Sequence, residues 1–126
     1  MGLLCASLLA AGLSWTLPAG ETTVVWTHSV EKIEWRESWA VEAGALQLRE
    51  VRIKGSGAGM EPADNAVLRD GWWVWAPEPP LSVPALVLAR SGAVADWRFC
   101  FAGDCRPAAD WMPGLPPTGT LTIAPC

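Results

Sequence analysis

Trp26-Thr27-His28-Ser29-Val30-Glu31-Lys32-Ile33-Glu34-Trp35-Arg36-Glu37-Ser38-Trp39 is the stretch that decides the fold, and the segment it opens runs on to Gly55-Ser56-Gly57-Ala58-Gly59-Met60. Val24, Trp26, His28 and Val30 recur at a period of two, and so do Ile33, Trp35, Glu37, Trp39 and Val41. Alternate residues of a strand point to the same side, so each set forms one face of a strand. Ile33, Glu37, Ala40 and Val41 also suit a helix, but the β-branched and Trp content favours a strand. Glu31-Lys32 is the natural turn between the two segments, although it lacks the Gly or Asn that a tight hairpin prefers. A two-residue turn there sets Val30 opposite Ile33, His28 opposite Trp35 and Trp26 opposite Glu37.

The same pattern continues down the chain. Ala43-Gly44 turns, Leu46 and Leu48 point one way, and Val51 and Ile53 take the opposite parity, as a bulge at Arg49-Glu50 would produce. Asp70-Gly71 is a strong hairpin signal between Val67-Leu68-Arg69 and Trp72-Trp73-Val74-Trp75. Pro77, Pro79, Pro80 and Pro84 mark an irregular connection. Ala85 to Arg90 reads as a strand, as does Val94 to Phe101, with Trp97, Phe99 and Phe101 on one face. Leu121 and Ile123 close with a short strand. Strands at short spacing, broken by Gly and Pro turns, predict an all-β fold: a small antiparallel β-sandwich or barrel over residues 21–126, in a single domain.

Composition narrows the function classes. With 51% hydrophobic and 17% charged residues in 126, the chain is a globular domain and too short for two. A net charge of −4 and singly scattered Lys and Arg argue against nucleic acid as a partner. Nine Trp and no Tyr point to large packed aromatic area, in the core, at its rim or on a binding surface. Gly2 to Leu13 is apolar, with the length of a signal-peptide core rather than a membrane span, and Pro18-Ala19-Gly20-Glu21 breaks it. Residues 1–20 therefore read as a signal peptide, or as a weak membrane anchor through residues 1–17, and the chain as periplasmic or otherwise exported. No Lys or Arg precedes the apolar run, unlike an ordinary signal peptide.

In an exported chain disulfide bonding is the default. Cys100 and Cys105 flank the turn Phe101-Ala102-Gly103-Asp104, and Cys126 can join either. One cysteine is then left over, or pairs with Cys5 if the leader is kept. The spacing C-x-x-C is missing and the lone His28 is far off in sequence, so no metal site or cofactor is expected.

The candidate site lies on the opening stretch. His28 and Glu37 would be diagonal neighbours across the hairpin, and Glu37 is the one charge on an otherwise apolar face. A structural pair fixing register and a polar floor for a ligand are both open readings. Gly57 and Gly59 could offer backbone N–H groups to an anion, although the loop is neither a P-loop nor a dinucleotide fingerprint. Ser29 beside His28 is not a triad, since neighbours on a strand face opposite ways, and no enzymatic activity is expected.

Thr27-His28-Ser29-Val30-Glu31, then Glu37, Gly57-Ala58-Gly59-Met60 and Asp70-Gly71-Trp72, resemble a family of small bacterial exported proteins, domain of unknown function 1850. The likeness covers roughly Val24 to Leu88. It implies genomic context rather than chemistry: members typically sit beside tripartite ATP-independent periplasmic (TRAP) transporters that use a TAXI-type solute receptor. By that resemblance the chain would be a non-enzymatic accessory of such a transporter. Its partner would be the membrane subunit or the receptor, with peripheral membrane association. His28, Ser29, Glu37, Gly57 and Gly59 match the family's motif positions and are the binding candidates. The alternative is a free-standing periplasmic binder of a carboxylate or amino acid, using the Trp-lined face around His28 and Glu37.

Overall fold

The computed structural model describes residues 2–27, 33–55 and 62–126, which build two antiparallel sheets facing each other, with no closed barrel. The chain runs β1 (Leu4–Leu8), a 3-10 turn (Leu9–Ala11), β2 (Leu13–Thr16), β3 (Glu21–Thr27), β4 (Glu34–Glu42) and β5 (Ala45–Lys54). It continues through β6 (Val67–Arg69), β7 (Trp72–Trp75), β8 (Leu81–Val83), β9 (Leu86–Leu88), β10 (Arg98–Phe101) and β11 (Asp104–Pro107). A one-turn helix, α1 (Ala108–Trp111), and β12 (Leu121–Pro125) complete it. The large sheet runs β11-β10-β3-β4-β5-β7-β6, with β8 also on β5, and the small sheet runs β2-β1-β12-β9. The all-β sandwich-like expectation holds; α1 is an unexpected short helix, set in the Pro-rich segment after β11.

Local sequence explains the hairpins. Ala43-Gly44, Asp70-Gly71 and Ala102-Gly103 all sit at positive φ, 53° and 77°, 52° and 83°, 51° and 82°. Two consecutive left-handed residues are what a turn matching the twist of its strands requires, and Gly supplies one of them without steric cost. The β5 bulge falls where the change of parity placed it. Ser38 faces Glu50 and Trp39 faces Leu48, which leaves Arg49 without an opposite number. Inward parity then returns at Val51 and Ile53, both buried.

One register differs from expectation. Trp26 lies opposite Trp35 and Val24 opposite Glu37, two residues away from the register a Glu31-Lys32 turn would set. A slip of two keeps every side chain on its face, so the hydrophobic pattern tolerates it, and it brings Trp26 and Trp35 into a stack at 5.2 Å between ring centroids. The turn residues themselves lie outside the described residues.

The segment read as a leader is folded into the domain. β1 is an interior strand of the small sheet, paired with β2 on one side and β12 on the other. Leu4 and Ala6 are fully buried, and Leu8 and Leu17 nearly so. An apolar run of this length suits a buried strand as well as a signal-peptide core, and here it packs with Leu121, Ile123, Leu46 and Phe99 in one core. The boundary drawn at residue 20 therefore cuts through the sandwich rather than between parts of it. The cysteines sit at disulfide distance as Cys5 with Cys126 and Cys100 with Cys105. The hairpin pairing was among those expected, and the other is the one that depended on keeping the first residues. No described helix is long and apolar enough to cross a membrane.

Candidate functional site

From β10 to β7, one ionisable side chain interrupts an apolar row on the core face of the large sheet. Phe99, Val24, Glu37, Val51 and Trp75 lie side by side across β10, β3, β4, β5 and β7. Phe99, Val24 and Val51 are buried, and Glu37 is partly so. Burial pushes the Glu37 carboxyl above its ordinary value of 4.5, against a smaller pull from the Trp39 indole toward the charged form. That indole leans toward the carboxylate without reaching hydrogen-bonding geometry: Trp35 Nε1 and Trp39 Nε1 are both buried with no partner among the described residues. On β4, Glu37 shares its face with Trp35 and Trp39. His28, Ser29, Gly57 and Gly59 lie outside the described residues, and Val24, not Trp26, stands opposite Glu37.

The raised value has a consequence for stability. A fold that favours the neutral acid has the full benefit of this group below the ordinary value of 4.5 and loses it as pH rises through the folded value. Glu37→Gln, which stays neutral, is expected to melt higher than the parent near pH 7, with the gain shrinking toward pH 4. Thermal melts of both proteins at the two pH values check this; a pH-independent difference would sink it.

A second feature adjoins this face. Trp97, Trp26, Trp35 and Trp75 form a chain of ring contacts, with centroid separations of 6.1, 5.2 and 6.4 Å in that order. Trp97 and Trp26 form one wall of a cavity of about 740 Å³. Leu115, Pro116 and Pro117 supply further lining, with Val94 and Ala109. The Ser91-Gly92 turn is held against the Pro-rich segment: Gly119 N–H donates to Arg90 O at 3.1 Å, and a Cβ on Gly92, whose φ is +77°, would meet Thr118 at 3.1 Å.

Arg90 and Asp96 are the charged members of the described lining, and they satisfy each other. Arg90 Nε donates to Asp96 Oδ1 at 2.9 Å and Nη2 to Oδ2 at 2.7 Å, while Nη1 donates to Pro116 O at 2.8 Å. The Trp97 amide also donates to Asp96 Oδ1, at 2.8 Å. The hydrogen bonds from Arg90 hold the Asp96 carboxyl below its ordinary 3.8, more than burial raises it. Arg90 is 3% exposed at its side chain and Asp96 31%. The clamp thus ties three segments together and leaves the described lining without a free charge, a surface suited to an apolar or aromatic body. Arg90→Met should cost about 2–4 kcal/mol, a broken buried pair discounted for the solvent at Asp96. Its urea midpoint at neutral pH measures the loss. Because the Asp96 value is lowered, the clamp's contribution is present above the ordinary value and fades as pH falls below it, so parent and variant should converge in acid.

Neither the clamp nor the cavity was visible in the sequence. Arg90 ends an apolar run and Asp96 sits six residues on across a turn, with no periodicity linking them. Among the described residues no group of His, Cys, Asp and Glu is arranged to hold a metal ion.

Comparison with known proteins bears on the large sheet. A family model, Domain of unknown function (DUF1850), matches residues 22–107. The chain belongs to this family. The DUF1850 region spans β3 to β11, hence the whole large sheet, Glu37 and the Trp26–Trp97 wall. It leaves out β1, β2, α1 and β12, so most of the small sheet and the prolines facing the cavity come from outside the matched region. No match was found among curated proteins or among solved structures.

Proposed function

We propose that this DUF1850 chain is an exported, non-enzymatic accessory protein of a TRAP-type solute uptake transporter of the TAXI kind, binding through its Trp-walled cavity. The transporter enters through the family resemblance in the Trp26–Met60 stretch. Export is favoured by four cysteines standing at disulfide distance in two pairs, as suits an oxidising compartment. The observation that carries a binding role is the cavity itself: large, walled by Trp26 and Trp97, and with its only charged lining residues, among those described, already paired. Affinity purification of the tagged chain from its native membrane tests the assignment. Recovery of the membrane subunit or the solute receptor is expected, and their repeated absence would overturn it.

A second reading is a free-standing periplasmic binder of a carboxylate or amino acid: the Trp26–Trp97 wall suits the hydrocarbon body of such a ligand, while the described lining holds no unpaired charge for its carboxylate. Trp emission titrated with such compounds distinguishes the two. Saturable change lost in Trp97→Ala supports the free-standing binder, and a flat response across aromatic and branched ligands removes it.

A further inference from the structure

The far edge of the large sheet offers a binding surface of a different kind. β6 ends the strand order and pairs with β7 alone among the described residues. Its apolar residues are open to solvent: Val67 is 51% and Leu68 57% exposed. Soluble proteins commonly blunt such an edge, because its unpaired backbone groups template another strand. Beside it, on the outer face of the sheet, Arg69 lies opposite Trp72, and Trp72 opposite Lys54. The Trp72 ring is flanked by Lys54 Nζ at 5.1 Å and Arg36 Cζ at 5.2 Å from its centroid.

The charges here are not balanced. Arg36 is paired with Glu34 at 3.0 Å and Arg52 with Glu50 at 2.6 Å. Lys54 and Arg69 have no carboxylate within ion-pair distance among the described residues. A chain whose net charge is −4 thus leaves, among the described residues, Arg69 unpaired at an open strand edge and Lys54 unpaired across Trp72 from it. A second copy of the chain would bring its own Arg69 and Lys54 to the same place and be repelled. A strand carrying carboxylates on its outer face would not.

We infer that β6 is an acceptor edge for an extended acidic segment of a partner protein, which adds as a further strand and sets its carboxylates against Arg69, within the positive field that Lys54 extends across the outer face. Backbone pairing supplies the affinity of such an addition, and the alternating side chains supply its specificity. The unpaired cations select the sign of the partner and speed its approach.

The test uses the full chain and two short synthetic peptides, one alternating Val and Glu, the other alternating Val and Lys, each labelled for anisotropy. The Val–Glu peptide is expected to bind and the Val–Lys peptide to fail. The double change Lys54→Glu with Arg69→Glu should weaken Val–Glu binding by about tenfold or more, as like charges replace complementary ones. The milder pair Lys54→Gln and Arg69→Gln, at exposed positions, guards against a folding defect and should weaken it less. Equal binding of both peptides, undiminished binding by the charge-reversed protein, or no binding of the Val–Glu peptide would each overturn the inference. So would chain dimerisation through this edge, or binding to phosphatidylglycerol vesicles that the Val–Glu peptide does not compete away.

Discussion

A chain from which residues 2–17 are deleted will not fold. β1 is the strand through which the small sheet holds together, because it joins β2 to β12. Its removal takes Leu4, Leu8 and Leu17 out of the core and uncovers Leu121 and Ile123, which are fully buried. Each buried Leu contributes about 1.5–3 kcal/mol, and a domain of this size has roughly 5–15 kcal/mol in total. Three such side chains, the cavity they vacate and a severed disulfide exceed what the rest can offset. Circular dichroism of the truncated protein is expected to lack a cooperative melt. A cooperative transition near that of the parent would show that the small sheet is dispensable. The same argument predicts that the mature protein recovered from cells retains Cys5, which mass spectrometry of its N-terminus would read directly.

Replacing Cys126 by Ser is the second large effect. Cys5 and Cys126 are 121 residues apart in sequence, Cys100 and Cys105 only 5. In the chain-entropy account a cross-link stabilises by restricting the unfolded chain, more for longer loops: about 4–5 kcal/mol at the scale of the first pair and about 2 kcal/mol at that of the second. Cys126→Ser should therefore lower Tm by about 10–25 °C. Cys105→Ser, which opens only a hairpin whose register the Ala102-Gly103 turn and three other residue pairs already set, should lower it by roughly half as much. Thermal melts of the two variants side by side check the order. A larger fall for Cys105→Ser would mean that the hairpin bridge acts on the folded state and not through the loop.

Much of the large sheet was legible because its signals are local. Asp70-Gly71 announces its hairpin, the parity change around Arg49 announces the bulge, and Glu37 stands out as a carboxylate among Ile33, Trp35, Trp39 and Val41. What escaped reading depends on partners distant in sequence. Leu4 to Leu8 has the same composition whether it is a signal-peptide core or a buried strand, and only Leu121 and Ile123 decide between them. The β3–β4 register slipped by two because Glu31-Lys32 imposes no turn geometry and a shift of two leaves the apolar faces intact. Arg90 reaches Asp96 around a turn and Pro116 from the irregular tail, so no window of sequence contains all three. The cavity inherits this: one wall is alternation in β3, the other a Pro-rich stretch without period.

The pairing of β1 with β12 also fixes an order of events. Every contact between them, from Leu4 with Pro125 to Ser7 with Thr122, spans nearly the full chain. Such contacts form late and slowly, because the loop they close is more than a hundred residues long. The hairpins β4–β5, β6–β7 and β10–β11 need only their own turns and can assemble first. During that interval Leu4, Ala6 and Leu8 have β2 beside them and nothing yet across the core. β1 emerges in synthesis well before β12 and is thus among the last strands to be covered, and the nascent protein carries an apolar edge until β12 arrives to close the sheet.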